Sequence, residues 1–304
     1  MVLRSQVGIV TWWVVLLGLL AGLLPAASVT RPGWLTVAAF GGLVAITALA
    51  TLTWTESAER SVIELSRTVT IFGAFVLLLL IQQREGLRRA LAAVAAATAI
   101  VAAIALVDRF DPSLLPFESS QLLPETYPRA RLYFPLEYWN GLAAMMAIGL
   151  APLLWLAGSA RGTVVRALSA GAIPLVVLAT YMTASRGGTG AAVLALVVLV
   201  LLSPERLRLA LTSLFPAIGS LALIVLVNRR PEVRDLILGD AADSQGMEML
   251  WICVVTVILV SGLQYALSEL LERGRIVVPQ VGMRATQATG ATAGALVLVA
   301  LFGS

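Results

Sequence analysis

Long apolar runs alternate with short polar segments along almost the whole chain. A helix that crosses a bilayer needs about 20 mainly apolar residues, and about ten runs approach that length. These predicted spans are 7–26, 34–53, 68–82, 90–107, 139–158, 168–185, 188–202, 209–227, 248–268 and 286–303. The pattern therefore predicts an all-α fold, a polytopic transmembrane helix bundle that forms one domain over residues 1–304.

Composition supports the membrane class. The chain is 59% hydrophobic and 12% charged, with a mean hydropathy of +0.94, whereas a soluble domain is roughly 25% charged. All 21 basic residues are arginine, and the net charge is +4. Because these arginines are spread over many short loops, the charge indicates membrane topology and excludes nucleic acid as the partner.

Arginine placement predicts which loops face the cytoplasm. One set of alternate loops holds 11 of the 21 arginines and only 4 of the 17 acidic residues. Basic residues in short loops stay on the cytoplasmic side, so we assign that set to the cytoplasm. The other loops are longer and more acidic, and we predict that they lie outside, at about 54–67, 108–138 and 228–247.

Several kinds of chemistry lack their usual residues. The chain has no histidine, so the commonest general base and metal ligand is missing. The single cysteine, Cys253, lies in an apolar run and excludes a disulfide framework or a thiolate metal site. The interiors of the predicted spans carry no charged residue, which argues against a proton-coupled transporter. We predict no metal and no cofactor.

A first polar cluster opens the fifth predicted span, in the sequence RLYFPLEYWNGL at 131–142. Tyr138 and Trp139 are placed where a membrane protein carries its interfacial aromatic belt. Asn140 follows them, and Asn is a favoured helix N-cap. Belt plus cap is one interpretation. The other is a binding platform for a sugar or a lipid headgroup, with Arg131 holding a phosphate.

A second cluster interrupts the apolar run from 168 to 202, where the chain reads TYMTASRGGTGAAVLAL. Its break at Ser185 to Gly188 predicts a tight helical hairpin. We expect the glycines to take the left-handed cap conformation and Arg186 to lie in the last turn of the first helix, where the helix dipole favours a cation. Arg186 is then either a snorkelling residue at a helix end or a bidentate ligand for a diphosphate.

A third cluster lies in the outer loop that begins at residue 228. Arg229, Arg230 and Arg234 follow closely after the eighth predicted span. One interpretation is a solvated loop of mixed charge. The other is a second cationic contact for a lipid-linked phosphate.

Two of these motifs together resemble a known family. The stretch RLYFPLEYWNGLAAMMAIGLAPLL is followed some 40 residues later by YMTASRGGTGAAV. Tyr138-Trp139-Asn140-Gly141 and Ser185-Arg186-Gly187 are similar, in that order, to motifs of the O-antigen ligase and polymerase superfamily of membrane glycosyltransferases. The similarity covers about residues 30 to 300.

This resemblance implies a function in cell-envelope polysaccharide assembly. Members transfer a glycan from a polyprenyl-diphosphate carrier at the outer face of the cytoplasmic membrane, without a metal, and use arginines to hold the diphosphate. By position, Arg186 is the first candidate for that role, and further candidates are Arg131, Arg229, Arg230 and Arg234. Arg131 and Asn140 are then expected to line the donor pocket, beside Tyr138 and Trp139 at the interface.

The chain also departs from the family pattern. Family members activate the acceptor with a histidine on a large outer loop, and this chain has no histidine. No spacing singles out a replacement base among Glu118, Glu125, Glu137 and Asp240, so no catalytic residue is predicted. We therefore expect a truncated or catalytically incomplete relative. The alternatives are a lipid or polysaccharide transporter, and a non-enzymatic membrane partner of a separate chain that supplies the outer loop.

Overall fold

The computed structural model describes residues 12, 14–15, 17–23, 30–53, 58–80, 84–115, 131–203, 205–235 and 240–273. Within these ranges every regular element is a helix, which confirms the all-α prediction. The helices are α1 (Arg31–Thr53), α2 (Ala58–Leu80), α3 (Arg84–Phe110), α4 (Trp139–Ser159), α5 (Thr163–Met182), α6 (Arg186–Leu202), α7 (Arg206–Asn228), α8 (Pro231–Arg234) and α9 (Asp240–Glu272), with a 3-10 turn at Pro112–Leu114.

Several of these helices are suited to a membrane. Six segments within the described ranges are long and apolar enough to cross a bilayer, and two shorter apolar segments are Leu65–Leu80 and α6. All eight coincide with predicted spans, so the chain has the character of a multi-pass membrane protein. The predicted count of about ten is not confirmed. Half of span 7–26, and all of span 286–303, falls outside the described residues.

The chain divides into two compact units, residues 1–90 and 91–304. In the first unit α1 packs against α2. The Phe40 and Phe72 rings meet there with their centroids 5.0 Å apart, and the Trp12 indole N–H donates a hydrogen bond to the Val69 carbonyl at 3.0 Å. That all 304 residues form a single domain remains a prediction.

The second unit is built around α4 and α5. More than half of the residues in each of these two helices are buried, whereas the other spans are more open. α4 packs against α5, α6 and α7, and α5 also packs against α9. Leu142 and Met146 of α4, Val176 and Leu178 of α5 and Leu223 of α7 are fully buried in one continuous core. This core fixes the ends of α4, α5 and α7, where the candidate site lies.

Small residues permit the close helix contacts in this unit. A Cβ atom on Gly171 of α5 would lie 2.9 Å from the Val257 carbonyl oxygen of α9, and one on Gly158 of α4 would lie 3.2 Å from Leu209 of α7. Lipid tails are as apolar as Leu side chains, so transmembrane helices associate largely through van der Waals packing, for which glycine gives the closest approach. These glycines therefore contribute to the stability of the bundle.

Helices extend further than the apolar runs predicted. α2 already begins at Ala58, so most of the predicted outer loop 54–67 is helical. The predicted loop 228–247 contains α8 and the first two turns of α9. The predicted loop 108–138 begins inside α3, which continues to Phe110, and its residues 116–130 lie outside the described part of the chain.

Two helices extend beyond the predicted spans and include charged residues at their ends. Asp108 and Arg109 in the last turn of α3 are buried, and so is Arg166 in the first turn of α5. The contacts of Arg166 show how a buried charged side chain is accommodated. Its Nη1 atom lies 2.5 Å from Glu272 Oε1, and its Nε atom donates to the Ala160 carbonyl at 2.6 Å. Buried charges are tolerated when they are paired in this way.

The two ends of the second unit carry different polar groups. One end holds the α5–α6 turn, together with the Arg230–Glu248 ion pair. The opposite end holds the Arg166–Glu272 ion pair, which joins the start of α5 to the end of α9. Among the described residues, the arginines of this unit that were predicted to be cytoplasmic lie at that second end, and they are Arg161, Arg166, Arg206, Arg208 and Arg273. Which side of a membrane each end faces remains a prediction.

Candidate functional site

The turn between α5 and α6 brings the two sequence motifs into direct contact. The Ser185 hydroxyl donates a hydrogen bond to the Asn140 Oδ1 atom at 2.8 Å. The Ser185 Oγ atom also accepts a hydrogen bond from the Gly188 backbone N–H at 3.2 Å, which makes Ser185 the N-cap of α6. A hydroxyl can donate one hydrogen bond and accept others. Ser185 therefore fastens the start of α4 to the start of α6 across 45 residues of sequence.

Asn140 serves this contact instead of capping its own helix. α4 begins at Trp139, and its N-cap residue is Tyr138, which makes no side-chain cap hydrogen bond. The prediction that Asn140 is the N-cap is wrong. The Asn140 Nδ2 atom donates to the Tyr138 hydroxyl at 3.2 Å, while its Oδ1 atom receives the bond from Ser185. A carboxamide has both a donor and an acceptor, so Asn140 links the interfacial Tyr138 to the turn.

The reversal of the chain depends on an alanine. α5 ends at Met182, and Ala184 has φ of 50°, in the left-handed region. That conformation costs an L-residue roughly 1–2 kcal/mol. The prediction that Gly187 or Gly188 takes this role is wrong, because both glycines lie in the first turn of α6. Backbone strain of this kind is often found at ligand sites.

Thr183 supports the strained turn through its side chain. Its Oγ1 atom donates to the Thr180 carbonyl at 2.6 Å and accepts the Ser185 backbone N–H at 3.2 Å. Thr183 is fully buried, and Ser185 is nearly so. The turn is thus fixed by buried hydrogen bonds on both sides of Ala184.

Arg186 occupies the opposite end of a helix from the one predicted. It is the first residue of α6 and not a member of the last turn of α5. A helix N-terminus carries a partial positive charge, so the dipole does not stabilise this guanidinium. Both the helix end and Arg186 instead attract an anion, and backbone N–H groups at a helix start are common anion ligands. The Arg186 side chain is exposed.

Gly188 is required by the contact between α4 and α6. A Cβ atom at this position would overlap the Ala143 side chain and lie 3.2 Å from the Ala143 Cα atom. Its neighbour Gly187 has open space around the same position. Gly188 therefore allows α4 and α6 to pack closely, whereas a larger residue would fit at Gly187.

A cavity of about 540 Å³ adjoins the turn. Its charged lining residues are Arg186, Arg234 and Asp235, and its hydroxyl groups come from Thr180, Tyr181, Ser185 and Thr189. The remaining wall is almost entirely apolar and consists of Leu150, Val177, Met182, Ala184, Ala192, Val193, Leu196 and Ile224. The cavity thus combines a mainly apolar wall with two guanidinium groups and one carboxylate.

Arg234 and Asp235 form a bidentate ion pair at this cavity. Arg234 Nε lies 2.9 Å from Asp235 Oδ1, and Nη2 lies 2.7 Å from Oδ2. The hydrogen bond from Arg234 is the largest influence on Asp235 and holds the pKa of its carboxyl below the usual range, although partial desolvation acts in the other direction. The same hydrogen bond raises the pKa of Arg234. Both groups are therefore charged at neutral pH.

Tyr181 connects the cavity wall to the neighbouring helix. Its hydroxyl donates a hydrogen bond to Asn228 Oδ1 at 2.9 Å, which ties the end of α5 to the end of α7. α8 follows directly after α7 and carries Arg234 in its only turn. Tyr181 and Asn228 therefore fix the position from which Arg234 reaches the cavity.

Arg131, Tyr138 and Trp139 lie together beside the turn. The Arg131 guanidinium carbon is 5.1 Å from the centroid of the Trp139 ring, within cation–π range. The Tyr138 and Trp139 ring centroids are 5.8 Å apart. The preceding segment is joined to α5 by the hydrogen bond from the Leu132 N–H to the Met182 carbonyl, at 2.9 Å. The described lining of the cavity does not include Arg131, Tyr138, Trp139 or Asn140.

The three arginines after α7 have separate positions. Arg230 is held by Glu248, with its Nε and Nη2 atoms 3.0 and 2.9 Å from Oε2, and its Nη1 atom donates to the Leu226 carbonyl. Arg229 is the exposed C-cap residue of α7. Only Arg234 of the three lines the cavity described here. The sequence grouped them by proximity, but Arg229 caps the end of α7, Arg230 precedes α8 and Arg234 ends it.

Sequence reasoning missed one member of the site and one contact within it. Asp235 carries no motif, and its importance depends on its contact with Arg234 and on the shape of the cavity. Ser185 was seen as part of the S-R-G turn, but its bond to Asn140 joins segments 45 residues apart. Of the candidate bases, Glu118 and Glu125 lie outside the described residues, as does the Asp240 side chain, while Glu137 is exposed with φ of 56°.

Comparisons with known proteins do not assign the chain to a family. No family model, no curated protein and no solved structure matches the chain.

Proposed function

We propose that this chain is an O-antigen-ligase-like membrane protein of cell-envelope polysaccharide assembly, which binds a polyprenyl-diphosphate-linked glycan at the outer face of the cytoplasmic membrane. The observation that carries the proposal is the cavity in which Arg186 and Arg234 adjoin a mainly apolar wall. The motif resemblance supports the same ligand class.

The chemistry of the cavity suits an amphipathic anion. An isoprenoid chain can pack its methyl and methylene groups against Leu150, Val193 and Leu196, through van der Waals contacts like those that hold membrane helices together. A guanidinium fork matches the oxygens of a phosphate in bidentate geometry. The α6 N-terminus beside Arg186 adds a favourable field for negative charge.

The polar contacts around the turn support a positioning role for Asn140 and Ser185. Ser185 is bonded to Asn140 at 2.8 Å and immediately precedes Arg186. Any shift of α4 relative to α6 would therefore move the base of the Arg186 side chain. In this proposal Asn140 and Ser185 orient Arg186, which binds the diphosphate. The adjoining segment is anchored at the interface by Arg131, Tyr138 and Trp139.

The test is binding of polyprenyl diphosphate to the purified full chain in lipid nanodiscs. Arg186→Ala should weaken the affinity about tenfold or more, because a hydrogen bond to a charged group contributes roughly 1.5–3 kcal/mol. Arg186→Lys should recover part of the loss, since charge remains but the fork is gone. Polyprenol without phosphate should bind equally to all variants.

The control removes an arginine from the opposite end of the unit. Arg208 is partly exposed and lies 3.3 Å from Glu205, so Arg208→Ala should leave the affinity unchanged. If the wild-type chain does not bind polyprenyl diphosphate, or if the two alanine variants lose affinity equally, the proposed function is wrong.

A further inference from the structure

The proposed anion-binding cavity already contains an acidic side chain. Asp235 is the one acidic residue among the described residues that line the cavity. It holds both arms of the Arg234 guanidinium, at 2.9 and 2.7 Å. A carboxylate and a phosphate present oxygens of similar spacing to this fork. Asp235 therefore occupies the contact that a phosphate would need in order to bind Arg234.

The ion pair is suited to exchange. The Arg234 and Asp235 side chains are 42% and 38% exposed, and solvated pairs of this kind are weak because water and salt screen the attraction. The two residues are also adjacent in sequence, so their contact requires no distant part of the fold to change. A ligand with sufficient negative charge can displace the carboxylate without unfolding any described helix.

Arg186 differs from Arg234 in this respect. It begins α6 at the helix N-terminus and lines the same cavity, whereas the guanidinium of Arg234 is shared with Asp235. One phosphate can bind at Arg186 without competition. A second phosphate must compete with Asp235 for Arg234.

We infer that Asp235 is a specificity-determining residue that makes the cavity selective for a lipid diphosphate over a lipid monophosphate. This inference rests on the proposed function. A monophosphate is bound through Arg186 and is repelled by the Asp235 carboxylate. A diphosphate binds Arg186 with one phosphate and takes Arg234 from Asp235 with the other.

The experiment compares polyprenyl monophosphate with polyprenyl diphosphate, titrated into nanodiscs that hold the wild-type chain or Asp235→Asn. The amide keeps the size of the side chain and removes its charge. We expect the monophosphate to bind about tenfold more tightly to the variant, because Arg234 becomes available to it, while the diphosphate gains less. The ratio of the two affinities should therefore fall towards unity.

A matched control separates this effect from general electrostatics. Glu248 pairs with Arg230 at the same end of the unit, at 2.9 Å, and does not line the cavity. Glu248→Gln removes the same charge and should leave the ratio of affinities unchanged. Arg234→Gln offers a second test, because it should weaken binding of the diphosphate, which loses a contact, more than binding of the monophosphate.

The outcomes distinguish the inference from the proposed function. If the wild-type chain binds the diphosphate through Arg186 but Asp235→Asn leaves the ratio as it was, Asp235 does not determine specificity and only this inference is overturned. An equal change with Glu248→Gln also overturns it. If neither the wild-type chain nor Asp235→Asn binds either lipid, the proposed function fails, and the inference fails with it.

Discussion

The Ser185 hydroxyl and the Asn140 carboxamide oxygen are joined by a 2.8 Å hydrogen bond. Ser185 is almost completely buried, whereas Asn140 lies at the exposed start of α4. This one contact fixes the relative position of two motifs that the sequence presents separately. It also places Arg186, the next residue after Ser185, at a defined point of the cavity rim.

A double-mutant cycle at this pair should reveal direct coupling. Removing a typical hydrogen bond costs about 1 kcal/mol, and loss of an N-cap serine costs about 0.5–2 kcal/mol. Ser185→Ala should therefore destabilise the protein more than Asn140→Ala, because it removes both interactions. The double variant should be more stable than the sum of the two losses predicts, measured by thermal unfolding in detergent. Strict additivity would show that the two side chains do not interact in solution.

The two adjacent glycines of the S-R-G-G turn should respond differently to the same substitution. A methyl group on Gly188 would overlap Ala143, whereas one on Gly187 meets open space. Overpacking of this kind typically costs about 1–3 kcal/mol, so Gly188→Ala should lower the unfolding temperature clearly.

Gly187→Ala is the matched control for that experiment. Alanine is the better helix former by about 1 kcal/mol in a helix interior, so this variant should equal or exceed the wild type in stability. Equal destabilisation by both substitutions would contradict the close contact between α4 and α6.

Much of the helical architecture was predictable because apolar runs of span length have few alternatives in a membrane protein. The spans 139–158 and 209–227 differ from α4 and α7 by only a few residues at their ends. The ends of α3 and α5 were not predictable from hydropathy. Arg166 is buried in α5 because Glu272, 106 residues away in sequence, supplies its partner.

The candidate site was predictable only in part, for a similar reason. Arg186 was identified because its motif interrupts an apolar run, and the cavity includes it. Its helix was assigned wrongly, since the choice between Ala184 and a glycine for the left-handed position depends on how α6 packs against α4. Asp235 and Arg234 are adjacent in sequence. That both line a cavity was not predictable, because the cavity is formed by helices that are distant in the chain.

The Arg166–Glu272 ion pair should show an asymmetric response to mutation. The Arg166 side chain is only 9% exposed, whereas that of Glu272 is 45% exposed. Glu272→Gln leaves a buried guanidinium without its counter-charge, and breaking a buried pair in this way costs up to about 3–5 kcal/mol. Arg166→Met leaves a carboxylate that water can solvate, and it replaces a buried charge with an apolar chain of similar length, so it should cost less. Thermal unfolding of the two variants in the same detergent checks the order.

Glu269→Gln is the control for this comparison, because Glu269 pairs at 2.9 Å with Arg273, whose side chain is 64% exposed at the same end of α9. Exposed ion pairs contribute about 0–1 kcal/mol, so this variant should unfold close to the wild-type temperature. The expected order of stability is Glu269→Gln, then Arg166→Met, then Glu272→Gln. If Glu272→Gln is as stable as Glu269→Gln, then Arg166 is solvated in the folded protein, and α5 begins outside the packed part of the bundle.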